Sequence, residues 1–288
     1  MKKNQKAIGL ILVMSLCLGI FGIATASTFT DAHGNEIELD DTLEAYSSFV
    51  LNGADDAARK AETNLGDFWT DALRWFAVSG EINQYFEEDD ITAGNTAIDA
   101  DSDHVVVLWN GGNLRADIPD SKFGAEQLAE VLPYPNKVAV VYMTGAQLQE
   151  VLEAASQGLP YTEESSAACA AFMQVSGLSY TVDTGKVYDK GEAYGDNWFR
   201  AASLSRVTIT EVNGQPFDAD AAYAVITSNA NFNGMDSSYM FKEAAEANEK
   251  STITTAVVRD VIWLYIAGEM NNMIGEEYAT AQGRITIE

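Results

Sequence analysis

The stretch VVVLWNGGNLRADIP, residues 105–119, constrains this chain more than any other part of it. Three β-branched residues and Leu108 run without a polar break into Trp109, the pattern of a buried strand. That strand then delivers Asn110, Gly111, Gly112, Asn113 and, two residues on, Arg115 to one point. Consecutive glycines let a backbone approach a ligand closely or take up positive φ. Asn offers both donor and acceptor, and Arg a planar fork matched to phosphate or carboxylate. An ordinary tight turn with a surface Arg uses the same residues. Taken alone, they leave both readings open.

Elsewhere, strands and helices mix without a regular β-α alternation, which predicts an α+β fold over a doubly wound sheet. Thr63 or Asn64 can cap a helix in which Leu65, Phe68, Trp69, Ala72, Leu73 and Phe76 recur at helical spacing. The segment 124–156 reads as a short helix, a Pro-Tyr-Pro turn, a strand over 137–143 and a helix capped at Thr144. Two strands flank the hairpin signal Asn213-Gly214. Residues 253–270 read as a strongly apolar helix, and GRITIE as a closing strand.

Residues 1–26 carry Lys2, Lys3 and Lys6, an apolar run and an Ala-Thr-Ala end, which predicts a secretory signal peptide. An exported protein is expected: extracellular, cell-envelope or periplasmic. Residues 27–50 form a lead-in or hairpin, and 51–288 one domain, since no linker composition divides them. Taking the leader's three Lys from 17 basic residues leaves 14 against 43 acids, a net charge of −29. Such a field argues against nucleic acid and anionic membrane as partners, while a small anion can still bind where a few Arg are focused. Cys169 is the one cysteine left outside the leader, so no internal disulfide is expected.

Four segments in this order, RKAETNLGDFWTDALRW, NGGNLRADIP, EVLPYPNKVAVVYMTGAQLQEVLE and FMQVSGLSYTVD, carry a resemblance, with EVNGQPFDADAAYAVITSN as a fifth. Together they resemble the C-terminal domain of the 5′-nucleotidase family. The resemblance implies a domain that holds a nucleotide or nucleotide-sugar. Arg115 and Asn110, with Gly112 and Asn113 of the turn, would grip the phosphate and ribose end. Arg59, five residues before Asn64, stands where a family Arg also reaches the anionic end. Tyr134 stands at the first of two base-stacking aromatics, with Asn136 closing that motif. Where the family has G-G-D-G-[FY], this chain reads NGMDSSYMF. Asp236 keeps the acidic position, Ser238 falls on the aromatic one, and Tyr239 follows one residue late.

In that family, hydrolysis belongs to a separate metallophosphoesterase domain with a two-metal site of Asp, His and Asn. This chain has two His. His33 lies in an Asp-Ala-His fragment that none of the family's metal motifs follows, and His104 opens a strand. No G-x-S-x-G, P-loop or convincing Cys/His pair is present, and Cys169 sits in an Ala-rich apolar setting. Neither catalytic nor metal-ligating residues are therefore expected in this chain, and no cofactor. Divalent metals would enter only with a phosphoesterase supplied by another chain. Three functions follow: a nucleotide-recognition domain of nucleotide catabolism, a phosphatase in its own right, or an exported interaction module whose pocket has decayed.

Overall fold

A computed structural model describes residues 44–88, 90, 98 and 104–288, together with the backbone of 27–30 and 36–39. The expected leader and His33 lie outside these residues. In chain order come β1 (Ser27–Thr30), β2 (Glu36–Leu39), β3 (Ala45–Tyr46), α1 (Ala57–Lys60), α2 (Asn64–Val78) and β4 (Val105–Asn110). Then follow β5 (Lys122–Phe123), α3 (Ala125–Val131), β6 (Lys137–Thr144), α4 (Gly145–Ala155), β7 (Met173–Ser176) and β8 (Leu178–Val182). Next are β9 (Lys190–Tyr194), β10 (Trp198–Ala201), β11 (Val207–Val212), β12 (Gln215–Pro216) and β13 (Ala222–Ser228). The chain closes with α5 (Asn229–Phe232), α6 (Tyr239–Ala247), β14 (Thr252–Val257), α7 (Val258–Gly268) and β15 (Ile285–Ile287).

A five-stranded sheet in the order β14-β6-β13-β4-β7 divides two apolar cores. Every residue of β4 is buried, because its two faces enter different cores. Val105, Val107 and Trp109 pack with α2 and α7, whereas Val106 and Leu108 pack with α4, α6 and the second sheet, β12-β11-β8-β15. Strand β13 runs parallel to β4 and antiparallel to β6, so the sheet is mixed and the fold is α+β. No helix of the described residues is long and apolar enough to cross a membrane.

Local chemistry explains the element boundaries. The Thr63 hydroxyl accepts from Gly66 N at 3.0 Å and starts α2. Thr144 and Gln147 form a reciprocal capping box at the start of α4. Asn213 and Gly214, with φ of 49° and 73°, make the tight turn between β11 and β12. One expectation is corrected. The apolar helix begins at Val258, and Thr252–Val257 forms the edge strand β14 on β6. Its β-branched residues alternate between buried and more exposed positions, a period of two hidden in an apolar run. At the N-terminal side, Ala45 pairs with Phe123 and is fully buried, so residues 44–50 are part of the main body.

The C-terminal strand is clamped to α2 by charge. Glu62 accepts from the backbone N–H groups of Arg284 and Ile285 at 2.9 and 2.8 Å. The Arg284 guanidinium reaches Asp71 at 2.7 Å and Asp67 at 3.7 Å. Burial is the main cause that raises the Asp67 carboxyl to about 8, against the pull of Arg284, and neighbouring Glu62 adds to the rise. An unfolded Asp titrates near ~4. Folding therefore takes up a proton here at intermediate pH, so this stability is full below the lower value and declines as pH rises toward the upper one. Asp67→Asn is expected to flatten the fall of the urea midpoint between pH ~5 and ~8 relative to wild type. An identical slope in the variant would place that proton elsewhere.

Candidate functional site

The glycine turn owes its composition to its own chain. Residues 111–113 form a 3-10 turn, and neither Gly111 nor Gly112 has positive φ. A Cβ on Gly111 would overlap the Ala58 carbonyl oxygen, and one on Gly112 would lie 2.7 Å from Ala170. Gly112 is thus packed closely against residues 168–171 on the side where a Cβ would stand. That packing has a consequence for the site: it presses α1 onto the end of β4 and brings Arg59 beside the turn. Gln174, fully buried, holds α1 there by donating to the carbonyls of Ala58 and Ala61, both at 2.8 Å.

Arg59 is mostly buried, its Nε paired with Asp56 Oδ1 at 3.1 Å and its Nη1 donating to the Ser166 carbonyl at 3.1 Å. Arg115 is exposed. Its guanidinium lies 5.9 Å from the Tyr134 ring centroid and makes no hydrogen bond or ion pair among the described residues. Tyr134 is 51% exposed on a turn closed by Asn136 N donating to its carbonyl, while the Asn136 carbonyl accepts from Val258 at 2.9 Å. Asn136 is itself buried. Asn110 and Asn113 are buried too, joined by a 2.8 Å bond from Asn113 Nδ2 to Asn110 Oδ1. The side chain at Asn113, where the family has Gly, is thereby folded down onto β4.

Asp236 occupies the left-handed region with φ of 56°. Burial raises its carboxyl above the ordinary carboxylate range, opposed by the nearby charges of Arg59 and Arg115. Tyr239 does not join them. Only 1% exposed, it packs against the tilted Tyr194 ring at 5.6 Å and the Arg200 guanidinium at 4.3 Å, and its hydroxyl accepts from Ala201 N. The cause is its place as first residue of α6, whose buried face includes Tyr239, Met240, Phe241 and Ala244. Ser238 is buried as well, donating to Asn231, and Met235 is the exposed large apolar residue of that loop.

An open cleft of about 630 Å³ adjoins Arg115, walled by Asp55, Asp56, Lys60, Tyr161 and Glu163 together with Gly53, Leu114 and Pro133. The Tyr161 hydroxyl donates to Asp56 Oδ2 at 3.0 Å, and Lys60 Nζ sits 4.8 Å above the same ring. Asp117 shapes the entrance by accepting from Gly53 N and Ala54 N at 2.7 and 2.8 Å. Of the wall, Gly53, Asp55, Asp56, Tyr161 and Glu163 lie outside the quoted motifs, and Lys60, Leu114 and Pro133 lie within them without having been singled out. The doublet Asp55-Asp56, both at positive φ, carries no local signal that sets it apart from an acidic surface turn. Among the described residues, no group of three or more His, Cys, Asp or Glu side chains is arranged to hold a metal ion.

The fold is that of a mixed-sheet α+β domain, and the comparisons with known proteins identify its family. The model of the family described as 5′-nucleotidase, C-terminal domain, matches residues 42–243, and the chain belongs to that family. It is 27% identical over 222 residues to the trifunctional nucleotide phosphoesterase protein YfkN of Bacillus subtilis (strain 168), covering 76% of this chain and 12% of that protein. The 5′-nucleotidase precursor from Thermus thermophilus shares the fold with a TM-score of 0.59 and 24% identity, over 84% of this chain and 39% of that one. The NAD nucleotidase of Haemophilus influenzae does so with a TM-score of 0.56 and 15% identity, over 91% and 48%. The chain thus spans less than half the length of each of these relatives.

Proposed function

We propose that this protein is an exported nucleotide-recognition domain of nucleotide catabolism. In this reading Arg115 takes the phosphate, Tyr134 offers its open face to the base or sugar, and Asp236 holds the two arginines in register. A metallophosphoesterase with its own divalent metals, supplied by another chain, performs the hydrolysis. The observation that carries the reading is Arg115, which lines the open cleft and has its guanidinium 5.9 Å from the ring of the exposed Tyr134. In a chain with so few basic residues, an unpaired guanidinium over an exposed ring suits a planar ligand with one anionic end.

A second reading, the interaction module with a decayed pocket, is favoured by the burial of Tyr239 and the commitment of Arg59 to Asp56. Titration calorimetry of the exported chain against AMP, adenosine and a UDP-sugar separates the two. Saturable heat with AMP supports recognition, whereas no heat and no thermal shift with any of them supports the module. Chelator-sensitive phosphate release from AMP by the purified chain would instead favour a phosphatase in its own right. Stacking on a single aromatic face stabilises a base by ~1–3 kcal/mol. Tyr134→Ala is accordingly expected to weaken AMP by about tenfold or more, with Tyr134→Phe near wild type. Equal affinity in all three proteins would remove Tyr134 from the site.

A further inference from the structure

Asp56 is the N-cap residue of α1, yet its carboxylate makes no cap hydrogen bond. A side chain of this type ordinarily accepts from the first free N–H groups of its helix. Here Asp55 and Asp56 both take left-handed backbone, with φ of 52° and 60°. That state is costly for residues other than glycine and persists only where the surroundings enforce it. Asp117 Oδ1 accepts from Gly53 N and Ala54 N on one side of the turn, and Lys60 Nζ donates to the Asp55 carbonyl at 2.6 Å on the other. What the turn gains is direction. Asp56 Oδ1 pairs with Arg59 Nε at 3.1 Å, and Oδ2 accepts from the Tyr161 hydroxyl at 3.0 Å. The segment carrying Tyr161 reaches the same guanidinium again, where the Ser166 carbonyl accepts from Nη1 at 3.1 Å. Reciprocal bonds between Thr162 and Ser165 brace that segment. Arg59 Nη2 makes no hydrogen bond among the described residues.

Resting on the nucleotide reading above, we propose that Asp56 and Tyr161 are positioning residues, which set the Arg59 fork beside the glycine turn with Nη2 left to donate to the anionic end of the ligand. A guanidinium is planar and rigid, so fixing Nε and Nη1 fixes the direction of Nη2 as well. The Arg59 backbone already lies against the turn, its N standing 3.2 Å from where a Cβ on Gly111 would be. Tyr161 acts through Asp56: its hydroxyl is engaged by the carboxylate, and Lys60 Nζ lies 4.8 Å from its ring centroid. The tie between Arg59 and Asp56 is then preorganisation, because the side chain loses its freedom on folding and not on binding. This role has a sign of its own. Coulomb repulsion alone predicts that neutralising a carboxylate near an anionic ligand tightens binding. Neutralising a carboxylate that aims the receiving arginine weakens it.

The test is calorimetry with AMP and adenosine on the wild-type chain, Tyr161→Phe, Asp56→Asn and the double variant, with thermal melts verifying that each is folded. Both single variants are expected to weaken AMP by about threefold or more and to leave adenosine, which has no anionic end, within about twofold of wild type. The double variant is expected to bind AMP no more weakly than Asp56→Asn, since two residues acting through one arginine are not additive. AMP affinity that is unchanged or tighter in Asp56→Asn overturns the positioning role and spares the nucleotide reading. So does a Tyr161→Phe loss that adds in full to that of Asp56→Asn, or that falls equally on adenosine, because Tyr161 then touches the ligand itself. The sign at Asp56 and the additivity decide even where adenosine binds too weakly to measure. Should Asp56→Asn fail to fold, Tyr161→Phe decides by its AMP affinity, and a value equal to wild type overturns the proposal. A wild-type chain that binds neither compound overturns the nucleotide reading, and the positioning role falls with it.

Discussion

Gly111→Ala is expected to cost the domain about 3 kcal/mol of unfolding free energy, near the upper end of ordinary overpacking effects. The added methyl would overlap a backbone carbonyl, that of Ala58, and not the far end of a flexible side chain. Relief requires moving α1 or the end of β4. Both are held: Gln174 anchors the carbonyls of Ala58 and Ala61, and Gly111 N donates to Phe172 at 2.7 Å. Gly268→Ala is the control, because a Cβ there meets nothing within 4 Å and φ is not positive. It should stay within about 0.5 kcal/mol of wild type. Urea melts of the three proteins decide the matter, and a Gly111→Ala midpoint equal to the control's would refute the close-approach account. Because α1 carries Arg59, any Gly111→Ala protein that still folds is expected to bind AMP less tightly as well.

Arg115→Ala is expected to lower AMP affinity by about ten- to a hundredfold, the worth of ~1.5–3 kcal/mol for hydrogen bonds to a charged group. Stability should barely move, since the side chain is exposed and makes no bond within the described residues. Arg115→Lys keeps the charge but loses the planar fork and its stacking on Tyr134, so its affinity should fall between the two. Unchanged calorimetric affinity in the alanine variant would end the assignment of the phosphate site to this turn. An equivalent change at Arg59 tests something else. That side chain ties α1 to Asp56 and Ser166, so its loss affects folding and binding together.

Much of the architecture was legible in the chain itself. The caps at Thr63 and Thr144, the hairpin at Asn213-Gly214 and the doubly buried strand β4 all rest on contacts within a few residues or on strict periodicity. Of the candidate site, Arg59, Arg115, Asp236 and Tyr134 were singled out by the sequence because they stand at ordered motif positions. Its wall was not legible. Asp55 and Glu163 are acids among 43, and nothing within reach of their own neighbours marks them as facing a hollow. The strand β14 was concealed because a β-branched run preceding an apolar helix satisfies both patterns until a sheet edge is there to choose.

The amino-acid order alone settled the caps at Thr63 and Thr144, the hairpin at Asn213-Gly214, the buried strand β4 and which family the chain resembles. Three-dimensional packing decided why Gly111 and Gly112 are needed, that Tyr239 turns into the core, and that Arg115 lines a cleft with residues 55 and 163. The division follows from range. Caps, turns and periodic faces are set by atoms a few positions apart, so a linear string records them. A close approach between residues 58 and 111, or a cleft walled by residues 55, 115 and 163, exists only after the two cores have closed on either side of the sheet.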